Sequence, residues 1–288
     1  MKVNRDMQVT KTIEATRRVR ATMGDVALVP TMGALHEGHL SLMRRAKELA
    51  PHVAVSIFVN PTQFNDPSDL EKYPRPLEAD LAMCRAAGVD LVFNPEPSEM
   101  YPPTEPVMSI DIPALTGELE GAHRPGHFVG VCRVCMKLFN IVNAQWACFG
   151  QKDYQQLKVI EAMVDAACLP LRIVACPTVR EADGLAMSSR NVRLSADDRR
   201  HALGLSKSLT EAQRLIADGE TDPQVVERAM RQVIESHHGQ VEYAAVRDPR
   251  TLGKLDIVNP AGESAVCLVA AKVGSVRLID NWTMDFGL

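Results

Sequence analysis

The sequence predicts an α/β fold, a parallel β-sheet with helices on both faces, followed by a smaller α+β domain. Short apolar runs alternate with helical apolar spacing along most of the 288-residue chain, and this alternation requires crossover connections between parallel strands. Near residue 187 the pattern changes to two long helical stretches and three strand-like runs, which are typical of a separate α+β unit. We therefore expect domains over residues 1–184 and 185–288.

The elements follow from apolar periodicity and capping residues. Buried strands are predicted at 26–30, 53–59, 90–93, 146–149 and 171–175, and helices between them at 40–50, 77–87, 128–142 and 154–167. After the change of pattern, Ser195 is a predicted N-cap followed by acidic first-turn residues, which stabilise a helix start. Helices are expected at about 196–218 and 223–237, and an antiparallel set of strands at 241–246, 265–272 and 276–279.

Composition excludes several classes of partner. A net charge of -4 and a pI near 6.1 argue against nucleic acid or anionic lipid as a binding partner, because such binding needs a clustered basic face. No apolar run approaches the length of a membrane span, and the first twenty residues lack a secretory signal's apolar segment, so we expect a cytoplasmic protein with no membrane partner.

The seven cysteines lie mostly in apolar runs, which favours reduced core thiols. Cys132 and Cys135 form a C-x-x-C. A redox pair or half of a zinc site stays open there, but core packing is favoured because no second pair at zinc spacing follows.

Residues 30–39, PTMGALHEGH, place His36 and His39 around a glycine directly after the first of these strands. Beyond the carboxyl ends of parallel strands, a helix start offers free N–H groups, and a glycine lets a phosphate approach the backbone. Histidines three residues apart on one helical face can contact the same group. A nucleotide site is favoured. A capped helix with incidental histidines stays open, and zinc is disfavoured because zinc proteases space their histidines four apart.

Three further segments carry residues suited to phosphates or to an anionic substrate. FGQKDYQQ, at 149–156, leads from a strand through a glycine into a helix, with Lys152 able to hold a phosphate and Asp153 able to cap the helix or bind a ribose. The 178–191 loop has serines and an arginine suited to a mobile phosphate clamp. EGAHRPGHF, at 120–128, places titratable groups around a Pro-Gly turn. An ordinary capped helix and a polar hinge are the plain alternatives for the first two.

Six segments, taken in order, point to one family. They are PTMGALHEGH, FVNPTQF (58–64), YPR (73–75), RPGHFVGV (124–131), FGQKDYQQL (149–157) and PTVREADGLAMSSRN (177–191). Together they resemble the pantothenate synthetase, or pantoate-beta-alanine ligase, family, and the similarity continues weakly as YAAVRDP and RLIDN. The His-x-Gly-His element alone occurs across a wide nucleotidyltransferase superfamily, whereas the ordered set is highly specific.

The resemblance implies a Rossmann-like ATP-binding domain, a smaller carboxyl-terminal lid domain and a homodimer. It implies that pantoate attacks the α-phosphate of Mg²⁺-ATP, giving pantoyl adenylate and pyrophosphate, and that the amine of β-alanine then displaces AMP. A carboxylate is a poor electrophile until its oxygen becomes part of a leaving group, so alignment and charge stabilisation are the main tasks of such a protein.

The resemblance also implies roles for individual residues. His36, His39 and Lys152 are the implied catalytic residues, with His39 first an electrostatic stabiliser of the transition state. Gln63 and Gln156 would hold pantoate, since amides donate and accept without repelling an acid. The implied ATP-binding residues are Met32, Gly33, His36, His39, Gly150, Lys152, Asp153, Val179, Met187, Ser188, Ser189 and Arg190. Asp80 resembles a magnesium-associated acid. Gate, intersubunit or support groups are implied at Tyr73, Glu120, Arg124 and His127.

Three residues depart from the family pattern: Gln151 and Arg133 stand where glutamate and threonine are usual, and Pro76 where threonine is commoner. None has an implied contact with phosphate or pantoate, and the sequence offers no physical account of Arg133.

A plain nucleotidyltransferase acting on a phosphate ester is the nearest rival function, but it would favour basic residues over the neutral pair Gln63 and Gln156. A nucleotide-sensing or RNA-binding module is a rival of another class, and the acidic balance without an aromatic-basic stripe argues against RNA.

Overall fold

A six-stranded parallel sheet organises the larger part of the computed structural model, which describes residues 6–260 and 265–284. Its strands are β1 (Gln8–Thr10), β2 (Val26–Thr31), β3 (His52–Ile57), β4 (Leu91–Phe93), β5 (Trp146–Gly150) and β6 (Arg172–Cys176). They lie in the order β1-β4-β3-β2-β5-β6, and every neighbouring pair is parallel. The direction of winding reverses between β2 and β5, which is the topological switch point of a Rossmann-like sheet. The predicted fold class is confirmed.

Helices cover both faces of this sheet. They are α1 (Ile13–Arg20), α2 (Glu37–Leu49), α3 (Pro67–Glu71), α4 (Leu77–Ala86), α5 (Pro97–Met100), α6 (Pro113–Thr116), α7 (Glu120–His123), α8 (His127–Val142) and α9 (Tyr154–Ala166). Successive strand residues point to opposite faces. Val26 and Leu28 therefore pack with α8 and α9, while Ala27 and Val29 pack with α2 and α4.

The sequence patterns do not predict β1, α1 or the short helices α3, α5, α6 and α7. β1 has three residues, too few to show a period, and it exists because it pairs with β4 along its whole length. α1 is a polar helix, and its start is stabilised by Thr12, whose Oγ1 accepts a hydrogen bond from Ala15 N at 3.2 Å. Tertiary pairing and capping form these elements where apolar periodicity is weak.

The carboxyl-terminal part pairs two helices with a second sheet. Its elements are α10 (Ala196–Ala217), α11 (Pro223–Ser236), β7 (Gln240–Arg247), β8 (Val266–Val273) and β9 (Val276–Thr283). The strands are antiparallel in the order β7-β8-β9. Leu205 of α10 and Met230 of α11 share one buried core with Val269 of β8. Ser195 Oγ accepts a hydrogen bond from Asp198 N at 3.1 Å. The predicted antiparallel set and the predicted N-cap are confirmed.

β9 is longer than the sequence pattern predicts. We expect it to end at residue 279, but it continues to Thr283, and Asp280 and Asn281 within it are only 2% and 6% exposed. Buried polar residues normally have hydrogen-bond partners, and here these come from distant parts of the chain. A pattern based on apolar residues cannot anticipate such pairing.

The described residues form two compact units, one of 6–151 and 156–177, the other of 152–155 and 178 onward. The short segment Lys152–Gln155 belongs with the second unit. Within that unit, Asn281 Nδ2 donates to Lys152 O at 2.8 Å and the Tyr154 hydroxyl donates to Pro249 O at 2.8 Å. The expected domain boundary between residues 184 and 185 stays a prediction.

The apolar helix α8 contains the C-x-x-C motif. Cys132 and Cys135 are free thiols buried in the core, and burial raises the pKa of Cys132 to about 12, so its thiol keeps its proton at neutral pH. The core-packing interpretation is confirmed. Neither α8 nor another helix in the described ranges combines the length and the apolar character needed to cross a bilayer.

Candidate active site

A tight loop joins β2 to α2 at the carboxyl end of the sheet. Gly33 and Ala34 both have positive φ, 80° and 50°, a backbone region that costs least for glycine. A side chain at position 33 would also meet Asp80 Oδ2 at 2.9 Å. Glycine is therefore required here by both conformation and space, and it lets the chain turn at once from strand into helix.

His36 and His39 lie together at the start of α2. His36 is the N-cap and His39 the third residue of the helix, and their ring centroids are 4.1 Å apart. His39 Nδ1 accepts a hydrogen bond from His36 N at 3.3 Å, which favours the neutral tautomer with the proton on Nε2. The expectation that both rings can reach one group is consistent with this spacing. The site offers an imidazole N–H donor beside the positive end of a helix dipole.

Asp80, in the first turn of α4, holds the loop in this shape. Its two carboxylate oxygens accept hydrogen bonds from Ala34 N at 2.9 Å and Leu35 N at 2.8 Å. The residue is 2% exposed, and this burial raises the pKa of Asp80 although the two N–H groups act to lower it. Asp80 thus accepts hydrogen bonds from two backbone N–H groups that the left-handed turn directs into the protein interior, where they would otherwise have no partner among the described residues.

The donor set at Asp80 does not suit a protein-held magnesium ion. Both oxygens already accept backbone N–H groups, whereas Mg²⁺ needs accessible oxygens and usually keeps several waters. Within 6–260 and 265–284, no group of three or more His, Cys, Asp and Glu residues is arranged to hold a metal ion. The magnesium role of Asp80 stays a prediction, and these contacts weigh against it.

A cavity of about 460 Å³ lies beyond the carboxyl ends of β2, β3 and β4. Parallel α/β sheets bind ligands at this edge. Met32, Gly33 and Asp80 line it, together with Ile57, Phe58, Val59, Arg75, Leu77, Asn94, Pro95, Glu96 and Pro97. Three of the residues expected at the site therefore meet at one concave surface.

Gln63 lies in a 3₁₀ turn that is packed against α8. The turn spans Pro61–Gln63, and a Cβ on Gly130 of α8 would meet Thr62 O at 2.2 Å, so only glycine permits this approach. His127 Nδ1 donates to Gln63 O at 2.8 Å, and Arg124 donates to the same carbonyl at 3.4 Å. The RPGHFVGV segment thus supports the backbone of Gln63, while the roles expected for Arg124 and His127 in the reaction stay predictions.

Gly150 and Gln156 lie where β5 leads towards α9. Gly150 is the last residue of β5 and is in register with Cys176 of β6. A Cβ at Gly150 would meet nothing within 4 Å among the residues that the structure describes. Gln156 is half-buried in the first turn of α9, whose Leu157 and Ile160 are buried in the sheet's core.

In the second unit, the 178–191 loop is closed on itself. Met187 N donates to Val179 O at 2.9 Å, and Arg180 and Ala186 form an antiparallel bridge. Arg190 N donates to Ser188 Oγ at 3.2 Å. Val179, Met187, Ser188, Ser189 and Arg190 are all half-buried, so this loop presents hydroxyl and guanidinium groups from an ordered turn.

Side chains of β9 connect this loop to Lys152. Arg180 donates to both carboxylate oxygens of Asp280, at 2.7 and 3.1 Å, a two-point contact that fixes orientation as well as distance. The neighbouring Asn281 donates to Lys152 O at 2.8 Å. The backbone of Lys152 and the base of the 178–191 loop are therefore both held by neighbouring residues of β9, Asn281 and Asp280. Asp153, the next residue, is exposed.

A second set of contacts, hydrogen bonds and ion pairs, holds the tip of the same loop. Asn191 Nδ2 donates to Glu181 Oε1 at 2.6 Å and to Ala186 O at 3.0 Å. Arg199 of α10 pairs with Glu181 at 2.6 Å and Asp183 at 2.8 Å. Desolvation acts to raise the pKa of Asp183, but hydrogen bonds from Arg199 and from Leu185 N together lower it. These contacts order the acidic part of the loop.

Comparison with known proteins gives a match to one family across nearly the whole chain. The family model described as pantoate-beta-alanine ligase matches residues 3–283. The chain belongs to this family.

Relatives support the same assignment. The pantothenate synthetase of Rhodopirellula baltica is 50% identical over 281 residues, covering 96% of this chain and 98% of that protein. The crystal structure of pantothenate synthetase from Thermus thermophilus aligns with a TM-score of 0.90 at 40% identity, covering 96% of this chain and 99% of the other. A pantoate-beta-alanine ligase from Francisella tularensis, complexed with beta-gamma ATP and beta-alanine, aligns with a TM-score of 0.81 at 33% identity, covering 98% and 99%. The family resemblance of the six sequence segments is confirmed.

Sequence reasoning missed the residues that hold the candidate ligand-binding residues in place. Asn60 and Gly130 fix the Gln63 turn, and Asp280 and Asn281 fix the second-unit group. The asparagine of FVNPTQF and the polar pair of RLIDN were visible as motif letters. The partners that the sequence could not reveal are far away in the chain: Gly130 and Tyr101 for Asn60, Arg180 for Asp280 and Lys152 for Asn281.

Proposed function

We propose that this member of the pantoate-beta-alanine ligase family condenses pantoate with β-alanine at the expense of ATP, through a pantoyl adenylate, and releases AMP and pyrophosphate. The proposal rests on family membership and on one observation of geometry, the paired imidazoles at a helix start beside the sheet's switch point. That arrangement suits a reaction in which negative charge builds on a phosphate.

In the adenylation step, a pantoate carboxylate oxygen forms a bond to the α-phosphorus of ATP, and the bond to pyrophosphate breaks. His39 would donate its Nε2 proton in a hydrogen bond to phosphate oxygens, and His36 would act beside it. Donors that are already oriented stabilise the transition state without reorganising during the step. Gln63 and Gln156 would hold pantoate through neutral amides, which do not repel its charge.

In the second step, the amine of β-alanine attacks the acyl carbon, and AMP leaves with the former carboxylate oxygen. The remaining expected residues serve to bind ATP. We propose backbone contacts at Gly33, Gly150 and Val179, a phosphate contact at Lys152 and contacts from Met32, Asp153, Met187, Ser188, Ser189 and Arg190.

We propose that Mg²⁺ accompanies ATP and is bound chiefly by its phosphates. Magnesium is commonly held by substrate phosphates with one or two carboxylates rather than by a complete protein cage. This agrees with the engaged oxygens of Asp80. The homodimer stays a prediction of the resemblance, and sedimentation of the purified chain measures it. The cytoplasmic location stays a prediction from the sequence.

Pantoate-dependent exchange between ATP and labelled pyrophosphate tests the function. We expect exchange with pantoate alone, and pantothenate with AMP once β-alanine is added. A chain that shows no exchange with pantoate, or that transfers AMP to a phosphate ester instead, would contradict the ligase assignment and favour the plain nucleotidyltransferase.

A further inference from the structure

Asn60 is at the centre of a buried hydrogen-bond network behind Gln63. The residue is 1% exposed. Its Oδ1 accepts hydrogen bonds from the Tyr101 hydroxyl at 2.9 Å and from Thr62 Oγ1 at 2.8 Å. Its Nδ2 donates to Gln63 Oε1 at 2.9 Å and to Gly130 O at 3.1 Å. The amide therefore has all its polar atoms engaged.

These partners permit only one orientation of the Asn60 amide. Gly130 O is a carbonyl and can only accept, so a flipped amide would place two oxygens against each other at a residue that is only 1% exposed. The hydroxyl of Tyr101 supplies the matching donor on the other side. An unmade buried hydrogen bond costs more than a made one contributes, so the orientation seen here is strongly preferred.

The orientation of Asn60 fixes which end of the Gln63 amide can meet a ligand. Gln63 Oε1 already accepts from Asn60 Nδ2, and Nε2 has no acceptor among the residues that the structure describes. Gln63 is 8% exposed, so its side chain has little freedom to rotate. A ligand at Gln63 therefore meets N–H donors, which suit the oxygens of an anion.

Tyr101 is itself held in place by a cation. The Arg133 guanidinium carbon lies 4.4 Å from the centroid of the Tyr101 ring, within the range of a cation–π interaction. Arg133 Nε is buried without a hydrogen-bond partner in the described structure. Burial raises the pKa of Tyr101, so the phenol keeps the proton that it donates to Asn60. This contact supplies the physical account of Arg133 that the sequence lacks.

We propose that Tyr101, held by Arg133, is a positioning residue that acts through Asn60 to present the Gln63 N–H groups to acceptor oxygens of pantoate. The inference rests on the proposed function, because it takes pantoate as the ligand of Gln63. It adds a direction to that contact: Gln63 donates to the substrate.

Tyr101→Phe removes only the hydroxyl and tests the first part. We expect the KM for pantoate to rise about tenfold, as for a lost positioning hydrogen bond, with the KM for ATP and the thermal midpoint nearly unchanged. Tyr243→Phe, in β7 of the second unit, is the matched control for loss of a phenol and should leave both constants unchanged. Equal KM values for pantoate in wild type and Tyr101→Phe would overturn the inference.

A double-mutant cycle separates positioning from general packing. If Tyr101 acts through Gln63, then Tyr101→Phe should have no further effect on the KM for pantoate in a Gln63→Ala background. Additive effects would show that Tyr101 acts by another route.

Gln63→Glu tests the direction of the hydrogen bond. It should bind pantoate worse than Gln63→Ala, because a carboxylate lacks donors and repels an acid, whereas binding as good as wild type would show that Gln63 accepts instead.

Arg133→Met keeps an unbranched chain and removes the charge. We expect a two- to fivefold rise, roughly the value of a cation–π contact, in the KM for pantoate and none in that for ATP. This variant also tests the proposal if Tyr101→Phe fails to fold, and an unchanged KM would then overturn it. Failure of the proposed function is distinguishable, because it would abolish pantoate-dependent pyrophosphate exchange in the wild type itself.

Discussion

Two groups of candidate ATP-binding residues are held in place in contrasting ways. At the start of α2, His36 and His39 are three residues apart and are connected by a hydrogen bond within one helical turn. In the second unit, Lys152 and the 178–191 loop depend on partners 129 and 100 residues away, Asn281 and Asp280. Local contacts re-form whenever the helix forms, whereas long-range contacts exist only in the complete fold. The second group should therefore respond to substitutions far from any ligand.

The largest effect is expected at His39. His39→Ala should lower the rate about 100-fold or more, as for removal of a preorganised donor, and pantoate-dependent pyrophosphate exchange measures it. Because His39 also accepts from His36 N, His39→Gln separates the two roles: glutamine at the third helical position can keep the capping contact but not the imidazole. Ser41→Ala, in the same helical turn, is the control. Full turnover in His39→Gln would remove the imidazole from the mechanism.

Lys152→Ala should come next. We expect it to raise the KM for ATP by about tenfold or more, in line with a lost charge-assisted contact, and to change the KM for pantoate much less. Initial rates with each substrate varied in turn measure both constants. Lys158→Ala, which removes a lysine paired with Glu161 on α9, controls for loss of positive charge. Equal damage to both substrates would count against a phosphate contact.

Asp80→Asn sharpens the comparison, because Asp80 is a distant partner of the loop that leads into the otherwise local histidine group. The amide leaves one of the N–H groups of Ala34 and Leu35 without its acceptor, which should lower the free energy of unfolding by about 1–3 kcal/mol. Urea unfolding of Asp80→Asn beside Glu78→Gln, an exposed acid on the same helix, measures the loss. No loss relative to Glu78→Gln would show that the loop keeps its shape without Asp80.

The stability of the wild type relative to Asp80→Asn should also change with pH, in a direction that the pKa of Asp80 sets. Burial raises the pKa of Asp80 above its ordinary value, so the folded chain takes up this proton before the unfolded chain does as the pH falls. The wild type should therefore gain stability relative to Asp80→Asn as the pH falls from the native pKa towards the ordinary one. A difference that stays constant across this interval would contradict the raised pKa.

The smallest effect is expected at Asn281, and it tests the long-range group most directly. Asn281→Ala removes the hydrogen bond to Lys152 O and should lower kcat/KM for ATP by about three- to tenfold, the equivalent of one hydrogen bond. The loss should shrink in a Lys152→Ala background, where the positioned side chain is gone. Arg277→Ala, which breaks the partly exposed pair with Glu242 on the same sheet, is the control. An unchanged loss in both backgrounds would mean that Asn281 supports the strand and not Lys152.

Much of the fold followed from local patterns. The alternation of apolar strands and amphipathic helices predicted the parallel sheet, because strands buried on both faces must be apolar, and the predicted strands at 26–30 and 146–149 coincide with β2 and β5. The PTMGALHEGH segment predicted a glycine turn from a strand towards a helix over 40–50, but the helix begins earlier, at Glu37, so that His36 is its N-cap and His39 its third residue. The six ordered segments predicted the family.

What the sequence by itself determined was therefore the order of elements, the family and the residue types offered to a nucleotide and an acid. Tertiary structure alone decided how those residues are held. It paired Asp80 with Ala34 and Leu35, Asn60 with Tyr101, and Asp280 with Arg180. The physical reason is that a buried polar side chain must find its partner wherever the folded chain supplies one, and neither periodicity nor motif spacing records distances between residues far apart in the chain.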